Sequence, residues 1–103
     1  MRIYLDDLRP TPEGYTRVYT VKEGVDLILD CIKNGIKIQE ISFDNDLGEG
    51  LLEGRKLLDW VEEQLYYGNM ELPEVLTVHT ANPAAAQYMR FSIGILREKY
   101  GNR

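Results

Sequence analysis

Three short apolar runs in this chain each stop at a cluster of chemically active side chains. Arg2-Ile3-Tyr4-Leu5 stops at Asp6-Asp7, and Glu40-Ile41-Ser42-Phe43 stops at Asp44-Asn45-Asp46. The run over 74–79, with Val75, Leu76 and Val78 as its apolar residues, leads into His79-Thr80-Ala81-Asn82. Short apolar runs bounded by polar residues read as buried strands. Stretches of helical apolar spacing lie between them, so the chain is expected to build an α/β layered sheet.

The helices carry their own start and stop signals. Thr20 and Glu23 have capping-box spacing, and Val25, Ile28, Leu29 and Ile32 form an apolar stripe that Gly35 ends. Leu57, Leu58, Val61 and Leu65 make a second stripe, closed near Gly68. Asn82-Pro83 is a helix start, with Asn as cap and Pro in the first turn. Met89, Ile93, Leu96 and Tyr100 give that last helix its buried face. A further short strand is predicted over 16–19, after a loop holding Pro10, Pro12 and Gly14.

Strands joined by helices run parallel with right-handed crossovers. The connection from the first strand to the second is short for a parallel crossover, which takes about a dozen residues. A parallel pair is expected there, with a hairpin as the alternative. At 103 residues the chain makes one domain, 1–103.

Charge and cysteine content narrow the function. Seventeen acids against twelve bases give a net charge of −5, which argues against direct binding to duplex nucleic acid. Cys31 is the single cysteine; it lies on the apolar side of its helix and reads as a buried thiol in a reducing, cytoplasmic setting. No apolar run is long enough to span a membrane, and charge follows the first residues too soon for a signal peptide.

In open parallel sheets, ligands bind beyond the carboxyl ends of the strands. Three strand ends here bring carboxylates, an imidazole, a hydroxyl and an amide to one crevice. Clustered carboxylates repel one another unless a cation joins them, and Mg²⁺ is the hard, oxygen-preferring ion that does so beside phosphate. Asp6, Asp7, Asp44 and Asp46 are the candidate ligands; the competing reading has them capping surface turns. His79 is the only histidine, a candidate acid or base, or a structural group bonded to a loop carbonyl. Arg9 is placed either to clamp a phosphate or to pair with Asp6 or Asp7. Thr80 is a candidate phosphate contact. Asn82 caps the last helix, whose free N–H groups also suit an anion. Gly48, Gly50 and Gly54 read as a lid or a phosphate-contacting turn, without the Gly-Lys-Ser/Thr of a P-loop.

These residues resemble the receiver domain of two-component response regulators. In that family the acidic pair binds Mg²⁺, the third-strand Asp accepts a phosphoryl group, and the fourth-strand Ser/Thr contacts it. The pattern is closer still to the cyclic-phosphate-processing receiver domain. Its marks are Leu5-Asp6-Asp7-Leu8-Arg9-Pro10, Ser42-Phe43-Asp44-Asn45-Asp46-Leu47-Gly48 and Val78-His79-Thr80-Ala81-Asn82-Pro83. The resemblance implies a short receiver-like (flavodoxin-like) three-layer sandwich, its mainly parallel sheet in order 2-1-3-4. On this reading the receiver's fifth strand and its lysine are expected to be absent, no helix is expected between the first two strands, and Asn45 stands where the subgroup usually has His.

The expected function is a Mg²⁺- or Mn²⁺-dependent phosphoesterase acting on a small phosphate ester such as a nucleotide cyclic phosphate. Asp6, Asp7, Asp44 and Asp46 would hold the metal; His79 and Asp44 would do the chemistry; Arg9, Thr80 and Asn82 would hold phosphate. Two other readings stand beside it: a phosphoacceptor signalling domain using Asp44, and a non-catalytic binding module. The partner expected is a small phosphate-containing ligand, with no membrane and no protein partner specified.

Overall fold

A computed structural model describes residues 1–47 and 53–101. Its elements run β1 (Arg2–Leu5), β2 (Thr16–Val18), α1 (Val21–Lys33), β3 (Glu40–Phe43), α2 (Arg55–Tyr66), β4 (Val75–Val78) and α3 (Pro83–Tyr100). The four strands form one sheet in the order β2-β1-β3-β4, and every neighbouring pair is parallel. The parallel reading of the first two strands therefore holds. The ten residues from 6 to 15 make that crossover without a helix.

The register puts Ile3 beside Ile41, and Leu5 between Phe43 and Val18. These residues, with Leu76 from β4, are the strand side chains of the central core. The next alternation, Arg2, Tyr4, Glu40, Ser42 and Thr77, points to the other face, as the two-residue period of a strand requires. Topology accounts for the asymmetry. The steps β2 to β3 and β3 to β4 both move across the sheet in one direction. Crossovers of one hand then lay α1 and α2 on the same face, and α3 packs beside α2. The step from β1 to β2 moves the opposite way, so its connection crosses the other face. There Tyr15 sets its ring edge-on to Tyr4 at 6.0 Å between centroids. Among the described residues, that loop stands where a three-layer sandwich would have a helix.

Helix ends follow the sequence signals. The Thr20 hydroxyl accepts the Glu23 N–H at the start of α1, and Asn82 Oδ1 accepts the Ala85 N–H at the start of α3. α1 and α2 both end in a left-handed glycine, Gly35 and Gly68, with φ of 67° and 74°. In each, the N–H after the glycine bonds back to the last turn: Ile36 to Cys31, Asn69 to Gln64.

The buried side of α1 differs from the expected stripe. Val21, Gly24, Ile28 and Cys31 are buried, whereas Leu29 and Ile32 face solvent. Gly24 sets this rotation. A Cβ there would lie 2.8 Å from Leu57 Cδ2, so the missing side chain lets α2 press against α1. Cys31 is buried and free, and its burial pushes the thiol pKa up.

Candidate metal and phosphate site

All three acid- or histidine-bearing strand ends lie on the carboxyl edge of the sheet. The backbone fixes their register: the Asp44 N–H donates to Leu5 O, the Asp6 N–H to Val18 O and the His79 N–H to Phe43 O. Asp6, Asp7 and Asp44 each offer a carboxylate oxygen within 4.8 Å of the others. Asp46 is exposed and is not one of this group. It contacts its neighbour Asn45, whose Nδ2 lies 3.4 Å from Asp46 Oδ1.

Asp6 is fully buried, and four donors converge on its carboxylate. Oδ1 accepts the Leu8 N–H at 2.8 Å and the Arg9 N–H at 3.0 Å. Oδ2 accepts the Arg9 guanidinium at 2.8 Å and faces His79 Nε2 at 3.0 Å. Burial alone would push this carboxyl up, but the donors from Leu8 and Arg9 outweigh it and hold the pKa down at about 2. The same Arg9 nitrogen lies 3.3 Å from Asp44 Oδ2, so one cation bridges two buried acids. Asp7 is different: its Oδ1 is buried and, among the described residues, has no hydrogen-bond partner.

His79 does face the site, with both ring nitrogens engaged. Nε2 meets Asp6, and Nδ1 lies 2.7 Å from Ser42 Oγ. Asp6 is ionised and can only accept, so Nε2 carries the proton. In the neutral ring Nδ1 then accepts from the Ser42 hydroxyl. Burial lowers the His79 pKa, against the opposing pull of Asp6, and favours this neutral form. The ring also stacks on Tyr4 at 4.3 Å.

Thr80 and Asn82 build the turn into α3. The Asn82 N–H donates to Thr80 Oγ1 at 3.2 Å. This leaves the threonine's own O–H available to donate outward, while the Asn82 side chain is spent on its cap.

Ser42, Tyr4 and Asn45 make contacts in the site that apolar periodicity does not assign to them. Ser42 and Tyr4 sit on the face opposite the core, a position visible in strand alternation once the two faces are distinguished. Asn45 is buried: its Oδ1 accepts the Arg55 N–H at 3.2 Å, its Nδ2 reaches Glu53 Oε2, and its backbone O accepts the Gly54 N–H. It thus pins the start of α2 to the end of β3. Gly54 belongs to this contact, since a Cβ there would sit 1.6 Å from Asp44 O. Gly48 and Gly50 lie outside the described residues. A hollow of about 810 Å³ lined by Leu65, Met70, Glu74 and Arg97 lies at the amino end of β4, the opposite edge of the sheet from Asp6, Asp7 and Asp44. Among the described residues, no helix is long and apolar enough to cross a membrane.

The family model for the cyclic-phosphate processing receiver domain matches residues 1–94. No curated protein and no solved structure gives a match.

Proposed function

Because the chain belongs to the cyclic-phosphate processing receiver family, we propose that it is a divalent-metal-dependent phosphoesterase of small phosphate esters, nucleotide cyclic phosphates first among them. The observation that carries this reading is the group formed by Asp6, Asp7 and Asp44, in which Asp7 Oδ1 is buried and unpartnered among the described residues. An orphaned buried oxygen is costly unless something occupies its lone pairs. A donor set made only of carboxylate oxygens suits Mg²⁺ or Mn²⁺ and excludes a soft-metal site.

Asp6, Asp7 and Asp44 would hold the ion. Once bound, it would neutralise charge developing on the phosphoryl oxygens. Thr80 would donate its O–H to one of those oxygens, and Arg9 would meet another. Asp44 serves as a ligand in this reading, because its side chain is only 6% exposed and Arg9 lies against it. His79 acts through Asp6: with both nitrogens engaged, it orients the carboxylate and holds its charge in place. Asp46 has no assigned part.

The test is turnover by purified protein, with Mg²⁺ or Mn²⁺, of a panel of cyclic nucleotides and simple phosphate monoesters and diesters. Metal-dependent hydrolysis that disappears in Asp44→Asn is the expected result. Absence of turnover across the panel, from protein that binds the ion, would remove the catalytic reading and leave a binding module.

A further inference from the structure

Arg9 occupies the space between the two most buried acids, and this constrains how any other cation reaches them. Its guanidinium is shared by Asp6 Oδ2 at 2.8 Å and Asp44 Oδ2 at 3.3 Å. With His79 and two backbone N–H groups also bound, Asp6 has no lone pair left over. A metal ion cannot take Asp6 and Asp44 together while Arg9 stays where it is.

We infer that Arg9 is an exchangeable internal cation: it neutralises Asp6 and Asp44 in the metal-free protein, yields them to a divalent ion, and is then free to bind a phosphate oxygen of the ligand. This rests on the metal reading above and adds an order of events to it.

The local structure supports such an exchange. The Arg9 backbone is tethered, because its N–H is bonded to Asp6 Oδ1 and Pro10 restricts its ψ. Among the described residues the side chain has no partner beyond the two acids, and it is 39% exposed. The guanidinium can therefore swing on its own rotatable bonds without moving the loop. Asp7 Oδ1, buried and without a hydrogen-bond partner among the described residues, has acceptor capacity that an ion could use without displacing a donor. Arginine suits both states, since its fork pairs with carboxylates and phosphates alike. Charge also balances at each stage. The acids are never left without a cation, and Arg9 turns toward phosphate only when the ion has replaced it.

The exchange predicts a reciprocal coupling. Phosphate should tighten metal binding, and metal should tighten phosphate binding by the same factor, because each relieves Arg9 of its other role. The experiment measures Mn²⁺ affinity by titration calorimetry, with and without inorganic phosphate, for the wild type, Arg9→Gln and Arg9→Lys. Thermal melts with and without Mn²⁺ accompany each protein. Without phosphate, Arg9→Gln is expected to bind Mn²⁺ roughly tenfold tighter or more, the scale set by a desolvated charge pair that no longer competes. Its gain in melting temperature on adding Mn²⁺ should exceed that of the wild type. The phosphate enhancement seen in the wild type should vanish in Arg9→Gln. Arg9→Lys should keep Mn²⁺ affinity near wild type yet lose most of the phosphate enhancement, because the charge remains and the fork does not. Equal or weaker Mn²⁺ binding by Arg9→Gln, in protein that still melts cooperatively, would overturn the exchange and leave the metal site standing. If none of the three proteins binds Mn²⁺, the metal reading falls, and the exchange falls with it.

Discussion

His79 lies flat on Tyr4, with 4.3 Å between ring centroids and 4° between their planes. The stack fixes the plane of the imidazole. The two hydrogen bonds at its edge, to Ser42 and to Asp6, fix its rotation within that plane. A ring held this way has one neutral tautomer, the one protonated on Nε2. Nitrogen-15 correlation spectra of the metal-free protein should show that tautomer at neutral pH. Ser42→Ala should leave Nδ1 unpaired and lower stability by about 1–2 kcal/mol, read by urea denaturation, without exposing Tyr4.

The pH dependence of His79 has a definite sign. Burial lowers its folded pKa below the ordinary 6.5. The unfolded chain therefore takes up that proton first. Its contribution to stability is complete above 6.5, and it is lost as pH falls through the interval between 6.5 and the lower folded value. In His79→Phe, stability should vary less across that interval than in the wild type. Urea midpoints taken between pH 7.5 and 5, with metal removed, provide the comparison.

Asp6 acts in a second, more acidic window. Its folded pKa is about 2 against an ordinary 3.8, so its contribution is present above 3.8 and disappears as pH falls toward 2. Asp6→Asn should flatten the acid limb of the stability profile. At neutral pH it should cost on the order of 3 kcal/mol, because Arg9 and the surrounding N–H groups lose an ionised acceptor in a buried place. Acid titration of circular dichroism at low salt, wild type against variant, reads both effects.

Metal titration separates Asp7 and Asp44 from Asp46. Asp7→Asn and Asp44→Asn should each weaken Mg²⁺ or Mn²⁺ binding by roughly tenfold or more, the range known for altering a metal's ligand environment. Asp46→Asn should change it less than about twofold, since that carboxylate is exposed and outside the group. Calorimetry on the three variants is the check. Equal losses in all three would put Asp46 back among the ligands.

The sequence carried the position of the site better than its internal wiring. Parallel strands end on one side, so acids placed after Leu5 and Phe43 had to meet, and His79 had to join them after Val78. That inference needed only strand direction. The partners within the cluster needed more. Arg9 was legible as a cation beside acids, but its bridge from Asp6 to Asp44 depends on how the turn at Leu8 folds back on Asp6 Oδ1. Ser42 and Tyr4 were hidden because a buried strand reads as one apolar run until its two faces are told apart. The face of α1 was misread for a similar reason. Leu29 and Ile32 look like core residues by hydropathy, while Gly24, which has no side chain to signal with, is where α2 comes closest.

Gly54 shows how backbone packing supports the site. It begins α2 with φ of −58° and ψ of −28°, a conformation open to any residue, so its need for glycine is steric alone. A Cβ would sit 1.6 Å from Asp44 O and 2.8 Å from Asp44 C. The obstacle is main chain, which cannot rotate away as a side-chain tip could. Gly54→Ala must therefore lift the start of α2 off β3, break the bonds from Gly54 and Arg55 to Asn45, and move Asp44 with them. A loss of about 3 kcal/mol or more is expected, the scale of severe overpacking. Metal affinity should fall even though no ligand has been changed. Urea denaturation together with a Mn²⁺ titration reads both losses. A variant with wild-type stability and wild-type metal binding would mean that Gly54 does not hold the Asp44 backbone in place.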